Sequence, residues 1–567
     1  MEFMERGQID MTQDDLSCEE ESGTAKHEVP FGEQLTLRSL LIGALGSVVI
    51  TTSSVYVALR MGALPWPTIF VAVLSMALLK GMGRTNVNEI NVTHTAMSAG
   101  GMVAGGLAFT LPGLHMLNPE APMHFPALLA VTLSGTLLGV IFTALVRGYF
   151  IEREQLPFPM GIAASETILA GDEKGSKART LFGTLGAAAI FTLLRDALGK
   201  IPTIWVSAPL AAKGMPFGVW VAPMAVGIGY LIGPLYTGIW FLGSLIGFVG
   251  LIYAGVSLGV FPNAAVASAF KDSLGIGLMV GTGAGILLKG ILPRVWEIYG
   301  PLPSGHTPQD RMIGPRLAFS IPALLALVLT YAVDMSLVSS VLTILGVWAT
   351  TAMAAQITGQ TAINPMEIFG IIVLLPVRAI ASLGTGLGME QAFCVAGIVA
   401  VACGLTGDVL NDFKSGHILG TNPRAQLAAE AVGGVVGAIV STLILVVMHK
   451  AFGKMGPGTE LPAPQAYAVS TMVGGLPNTA AFLLGLALGA VLYVLNVPAM
   501  TLGIGVYLPM FISVTVFLGG ALASLTRRLF PNRQGSMGVV VASGLLGGEG
   551  IAGVLIAIGR VLSFMAD

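Results

Sequence analysis

The chain has 567 residues, of which 54% are hydrophobic and only 10% charged, with a mean hydropathy of +0.83. A soluble globular protein carries about 25% charged residues, so a water-soluble fold is excluded. The net charge of −2 argues against a nucleic-acid partner, and apolar runs near 20 residues argue against a β-barrel, whose spans alternate over about 10 residues.

The elements that remain are membrane helices. Residues Met1 to Lys26 are polar and acidic (Asp14, Asp15, Glu19, Glu20, Glu21), so residues 1–34 are expected to be a disordered acidic tail. They lack the basic start and apolar core of a cleavable signal peptide. Apolar spans follow near 35–60, 64–80, 93–112, 125–147, 180–198, 217–236, 238–260 and 274–292. A short apolar piece, 156–170, opens on Pro157 and Pro159 and is too short for a clean span, so it is expected to be re-entrant. The polar segment from Tyr299 to Pro308 lies in an inter-repeat linker, 299–315. Beyond it, spans are expected near 316–334, 337–357, 366–387, 389–407, 421–449, 471–495, 499–525 and 535–561. The expected fold is all-α and polytopic, with about sixteen spans and broken or re-entrant helices. An even number of spans per half gives two halves of the same orientation. The loop 113–124 lacks Lys and Arg, whereas Arg147, Arg153, Lys174, Lys177 and Arg179 cluster later. The cationic side belongs inside, which places the N-terminus in the cytoplasm.

The membrane sequence repeats itself. Gly83-Arg84-Thr85-Asn86-Val87-Asn88 returns as Gly359-Gln360-Thr361-Ala362-Ile363-Asn364, Gly227-Ile228-Gly229 returns as Gly503-Ile504-Gly505, and Phe241-Leu242-Gly243 returns as Phe517-Leu518-Gly519, all three 276 residues on. Two related halves, 35–298 and 316–567, are the build of a secondary transporter, with its site near the repeat interface.

Polar breaks in apolar spans mark a pathway, because lipid tolerates irregular backbone only around a cavity or inside protein. Asn88 and Glu89 lie in a dense polar stretch that also holds His94 and runs on into the pairs Gly100-Gly101 and Gly105-Gly106. Glu166 sits in the short Pro-initiated helix as a candidate proton carrier. Gln360 and Asn364 precede Pro365, which ejects Asn364 from helical geometry, and so suit hydrogen bonding to a peptide-like ligand. Asp408 and Asp412 are spaced to share a helix face, with Lys414 and His417 close behind; this segment is taken as the counterpart of 156–170. Tyr507 stands at a kink before Pro509, and Glu549 is a lone carboxylate among glycines in the last span. Intramembrane charges are functional by default. Asn88, Glu89, Gln360, Asn364, Tyr507, Asp408 and Lys414 are therefore the candidate substrate contacts, and Glu166, Glu549 and Asp412 the candidate coupling groups. Arg195, Asp196, Asp334, Arg378 and Glu430 fit structural pairs equally well.

The motifs resemble those of the oligopeptide transporter (OPT) family, in its prokaryotic branch, which is related to the yellow stripe-like metal-chelate transporters. The resemblance rests on Ser98-Ala99-Gly100-Gly101 through Pro112, Pro159-Met160-Gly161 through Glu166, Asn364-Pro365 with Phe369-Gly370, Asp412-Phe413-Lys414-Ser415-Gly416 with Pro423-Arg424-Ala425-Gln426, Gly505-Val506-Tyr507-Leu508-Pro509, and Gly548-Glu549. It implies about sixteen helices and proton-driven import of short peptides, or alternatively of metal–chelator complexes, by alternating access, with no cofactor beyond the proton gradient. The partners so implied are a small-molecule or peptide substrate and the lipid bilayer, with room for a homodimer.

No phosphate-binding loop for ATP is present. His94, His417 and the carboxylates show no metal-site spacing, and Cys18, Cys394 and Cys403 suggest no disulfide framework. An intramembrane protease is the rival from another class. Leu405-Thr406-Gly407-Asp408 only approaches the Gly-x-Gly-Asp signature, and Ser415 and His417 are two apart and do not face each other on a helix. A channel would need a ring-like filter, which broken helices in two repeats do not suggest.

Overall fold

The computed structural model describes residues 29–61, 68–121, 124–172, 176–211, 217–300, 312–384, 386–459, 461–529 and 536–566. The expected tail, all but its last six residues, and most of the expected linker lie outside the described residues. The architecture is a helical bundle with one two-stranded antiparallel ribbon, β1 (Ile204–Val206) against β2 (Gly218–Trp220). The first half supplies α1 (Leu37–Met61), α2 (Thr68–Gly81), α3 (Val87–Ala108), α4 (Pro112–Leu117), α5 (Phe125–Arg147), α6 (Pro159–Asp172), α7 (Ser176–Thr192), α8 (Pro223–Ile232), α9 (Pro234–Ser244) and α10 (Ala264–Gly285). The second supplies α11 (Pro315–Ala332), α12 (Leu337–Thr361), α13 (Met366–Ala381), α14 (Met389–Leu419), α15 (Pro423–Phe452), α16 (Pro464–Gly474), α17 (Thr479–Val494), α18 (Ala499–Tyr507), α19 (Met510–Leu529) and α20 (Ser536–Ala566).

Among the described residues, 12 helices are long and apolar enough to cross a membrane, or 13 if the bent pair α16–α17 is one span. The sequence expectation of about sixteen is higher because apolar composition does not reveal where a helix breaks. The run near 64–80 yields the 14-residue α2, and 217–236 yields the 10-residue α8. The run near 366–387 yields the 16-residue α13, and residues 499–525 divide at Leu508-Pro509 into α18 and α19, of which α19 still supplies one span, since proline removes a ladder donor. The piece at 156–170 is the short, largely buried α6.

Small residues let these helices meet backbone to backbone. Gly437 of α15 lies on Gly100 of α3: a Cβ on Gly100 would strike Ser47 and Thr51 of α1, and one on Gly437 would strike the Gly100 backbone. The same holds for Gly277 and Gly281 of α10 against α17.

The repeat is visible in the packing. Gly229 abuts Gly519 while Gly243 abuts Gly505, so each glycine of one half meets the counterpart of its partner's mate. Phe241 and Phe517, counterparts in the repeat, stack on one another with ring centroids 4.7 Å apart and planes 15° from parallel. Helices α5 and α14, fourth long helix of each half, lie side by side and run in the same sense: Gly135 meets Ile398, Gly139 meets Ala402, and the Thr143 hydroxyl bonds that of Thr406 at 3.0 Å. The two helices thus run parallel where they touch.

Candidate functional site

The most heavily buried helices are α3 and α14, with 94% of each apolar window inside the protein. Polar residues on them cannot reach lipid or water and must find partners in the bundle. Asn91 Nδ2 donates to Thr421 Oγ1 at 3.1 Å, Ser415 Oγ donates to Asn91 Oδ1 at 3.1 Å, and Thr421 Oγ1 donates to Asn88 Oδ1 at 2.9 Å. Asn88 thus helps tie α3 to the α14–α15 turn.

One helical turn deeper, Asp408 and Asp412 of α14 meet Glu430 of α15. The i, i+4 spacing aligns the two aspartates on one face, and the three carboxylates each offer an oxygen within 4.8 Å of the others. All three are buried. Ser98 Oγ of α3 donates to Asp412 Oδ2 at 2.8 Å, and Thr68 Oγ1 of α2 lies 3.4 Å from Asp408 Oδ1. Gln426 Nε2 fixes the α14 backbone by donating to the Asp412 carbonyl at 2.6 Å. Asp408 Oδ2, Asp412 Oδ1 and both Glu430 oxygens are left without a hydrogen bond. His94 of α3, also fully buried, sets Nε2 3.6 Å from Asp412 Oδ1.

Glu89 and Glu549 are neutralised by neighbours, whereas Glu367 at the start of α13 is buried with no ion pair among the described residues. Glu89 accepts from Arg38 Nε at 2.7 Å and Nη2 at 2.6 Å, from Thr36 at 2.6 Å and from Thr85 at 2.7 Å. Glu549 Oε1 pairs with Arg195 at 2.8 Å, while Oε2 caps the N-terminus of α8 by accepting from the Met224 N–H at 2.7 Å. Glu166 is half-buried, 3.8 Å from Lys177. Lys414 is half-buried two residues past Asp412, a spacing that turns the two side chains apart. Among the described residues, no Lys or Arg pairs with Asp408, Asp412 or Glu430.

Asn364 occupies the break between α12 and α13, where Ala362 takes a left-handed φ of 54°. Its Nδ2 donates to the Cys403 carbonyl at 2.7 Å, and its Oδ1 is buried without a partner. Tyr507 ends α18, and its carbonyl accepts from Lys271 at 3.2 Å. Gln360 lines a separate crevice with Gln356, Tyr149, Glu154, Lys289, Arg294 and Tyr493. There Arg294 reaches Tyr149 at 3.3 Å and Glu154 at 3.5 Å.

The structure thus gathers Asp408 and Asp412, and disperses Glu89, Glu166, Glu549, Gln360, Asn364 and Tyr507. The segment Gly404 to His417 is the inner half of α14, the mate of α5, and not the counterpart of 156–170. That counterpart is the start of α15: α6 opens on Pro159 with Glu166 seven residues on, and α15 opens on Pro423 with Glu430 seven residues on. Read this way, the sequence singles out Glu430, which is otherwise lost among paired charges.

The model of the family described as OPT oligopeptide transporter protein matches residues 34–291 and 316–559. The chain is 26% identical over 593 residues to a protein of Haemophilus influenzae named "Putative oligopeptide transporter", covering 88% of this chain and 92% of that one. It is 28% identical over 213 residues to a metal-nicotianamine transporter of Arabidopsis thaliana, covering 34% of this chain and 31% of the plant protein.

Proposed function

The chain belongs to the OPT oligopeptide transporter family, and from that premise we propose that it is a proton-driven symporter that imports short peptides by alternating access. Members of this family are transporters and not enzymes, so the protease alternative falls away. The observation that carries the reading is the cluster of Asp408, Asp412 and Glu430, carboxylates buried in a membrane bundle with no Lys or Arg paired to them among the described residues. Such groups hold a cation or a proton, and intramembrane carboxylates of this kind serve as relays. Of the candidate coupling groups, Asp412 is the one whose free oxygen faces the cluster, whereas Glu549 is engaged by Arg195.

The crevice around Gln360 suits a peptide. Glu154 offers a carboxylate to an ammonium terminus, Arg294 and Lys289 offer cations to a carboxylate terminus, and Gln356 and Gln360 offer amides to the peptide bonds between. Asn364, with its unpartnered Oδ1, lies at the nearby helix break. The N-terminus is cytoplasmic in this reading and the membrane is the bacterial inner membrane.

A second reading, uptake of metal–chelator complexes, is favoured by the likeness to the metal-nicotianamine transporter. Uptake into proteoliposomes under an inward proton gradient tests both, with a pool of tri- to pentapeptides beside a ferric chelate. Peptide accumulation abolished by a protonophore is the expected outcome. Chelate accumulation without peptide replaces the first reading with the second, and uptake of either that ignores the protonophore removes proton coupling.

A further inference from the structure

We propose that Asp408, Asp412 and Glu430, with His94 set beside Asp412, form a binding site for one divalent first-row transition-metal cation. The proposal shares with the proposed function the reading of this cluster as a cation site, and adds an occupant other than the proton.

The geometry is that of ligands around a missing centre. Metal–oxygen bonds of about 2.0–2.6 Å place opposite ligands roughly 4–5 Å apart, and the three carboxylates offer oxygens within 4.8 Å of one another. Each of the three carboxylates keeps at least one oxygen free of hydrogen bonds. Asp412 is tied back through Oδ2 by Ser98 and keeps Oδ1 bare; Asp408 is approached at Oδ1 by Thr68 and keeps Oδ2 bare. Glu430 keeps both oxygens bare and can bind through either or both. Hydroxyls that hold one oxygen so that the other points at the ion are the outer shell a metal site needs.

Clustered carboxylates alone would not identify a ligand. The independent observation is His94, which comes from a third helix, is fully buried, and makes no hydrogen bond of good geometry through either ring nitrogen, the Thr68 and Asn91 backbone lying beside it. An imidazole stripped of water and only weakly partnered costs free energy, and this one sets Nε2 3.6 Å from the free Oδ1 of Asp412. Neighbouring ligands of one ion stand about 3–3.5 Å apart. An imidazole among carboxylates suits manganese, iron(II) or zinc better than magnesium or calcium, which favour oxygen alone. A dication also offsets two of three charges that no Lys or Arg balances among the described residues.

The test is Mn2+ binding to the purified full-length protein after chelator stripping, followed by the electron paramagnetic resonance signal of free Mn2+. One saturable Mn2+ per chain is expected. Glu430→Gln and Asp408→Asn should each weaken it at least about tenfold, and His94→Gln should weaken Mn2+ more than Ca2+. The exposed Glu297→Gln is the control, and thermal unfolding of each variant reports that it is folded. Absence of saturable Mn2+, or equal affinity in folded Glu430→Gln, overturns the site. The two proposals fail separately: protonophore-sensitive uptake with no Mn2+ bound overturns only the metal site, and Mn2+ bound with uptake indifferent to protonophore overturns only proton coupling.

Discussion

Asp412 and Glu549 are both carboxylates on buried helices, and their neighbours set them apart. Removing the charge of Asp412 leaves the Ser98 hydroxyl its acceptor but takes away a protonatable oxygen, so Asp412→Asn should keep substrate exchange while abolishing accumulation driven by a proton gradient. Removing the charge of Glu549 breaks a pair with Arg195 that is also held by Asp196 at 2.6 Å. Glu549→Gln should therefore accumulate substrate normally and unfold more readily, by about 1–3 kcal/mol. Counterflow, gradient-driven uptake and thermal unfolding of the two variants separate these outcomes. In the crevice, Arg294→Gln should raise the apparent KM for peptides with a free carboxyl terminus and leave amidated peptides unaffected, a difference that competition uptake would show. At this scale the sequence was partly legible. The i, i+4 spacing exposed Asp408 and Asp412 as one face, but Glu430 and His94 join them only through contacts between helices, and no spacing along the chain encodes those. Arg38 and Arg195, which engage Glu89 and Glu549, are likewise remote in sequence.

Helices here are distinguished by where they stop. Hydropathy located nearly every apolar segment, yet it read α18 and α19 as one span, because Leu508-Pro509 interrupts a run of unchanged apolarity. It was equally blind to the 108° bend between α16 and α17. Glycines were more informative, since each crowded pair marks a place where two backbones touch. Gly437 packs on the Cα of Gly100, so Gly437→Leu should force α15 off α3 at a cost of about 1–3 kcal/mol. Gly183→Leu on α7, where a Cβ would meet open space, should cost far less. Thermal unfolding in detergent is the measurement, and equal loss in both would mean that α3 and α15 do not pack through this pair.

The whole molecule obeys a symmetry that its chemistry ignores. If Phe241 and Phe517 lie on a pseudo-twofold axis, a chain with cysteines at both positions and none elsewhere should be closed by a short bis-maleimide within one polypeptide. Either cysteine alone should give no internal product, and gel mobility after cleavage at the inter-repeat linker distinguishes the cases. The matched phrases in the sequence announced two halves, while the direction in which mates such as α5 and α14 run became evident only from their contacts. The reciprocal packing of Gly229 on Gly519 and Gly243 on Gly505 is the signature of an isologous interface, in which one patch meets its own copy. Such an interface is what two identical half-length chains would make with one another. Within one chain the two copies are free to differ: Asp408 and Asp412 stand in one half only, while Glu430 has Glu166 at the matching place of the other half, on a scaffold that remains double.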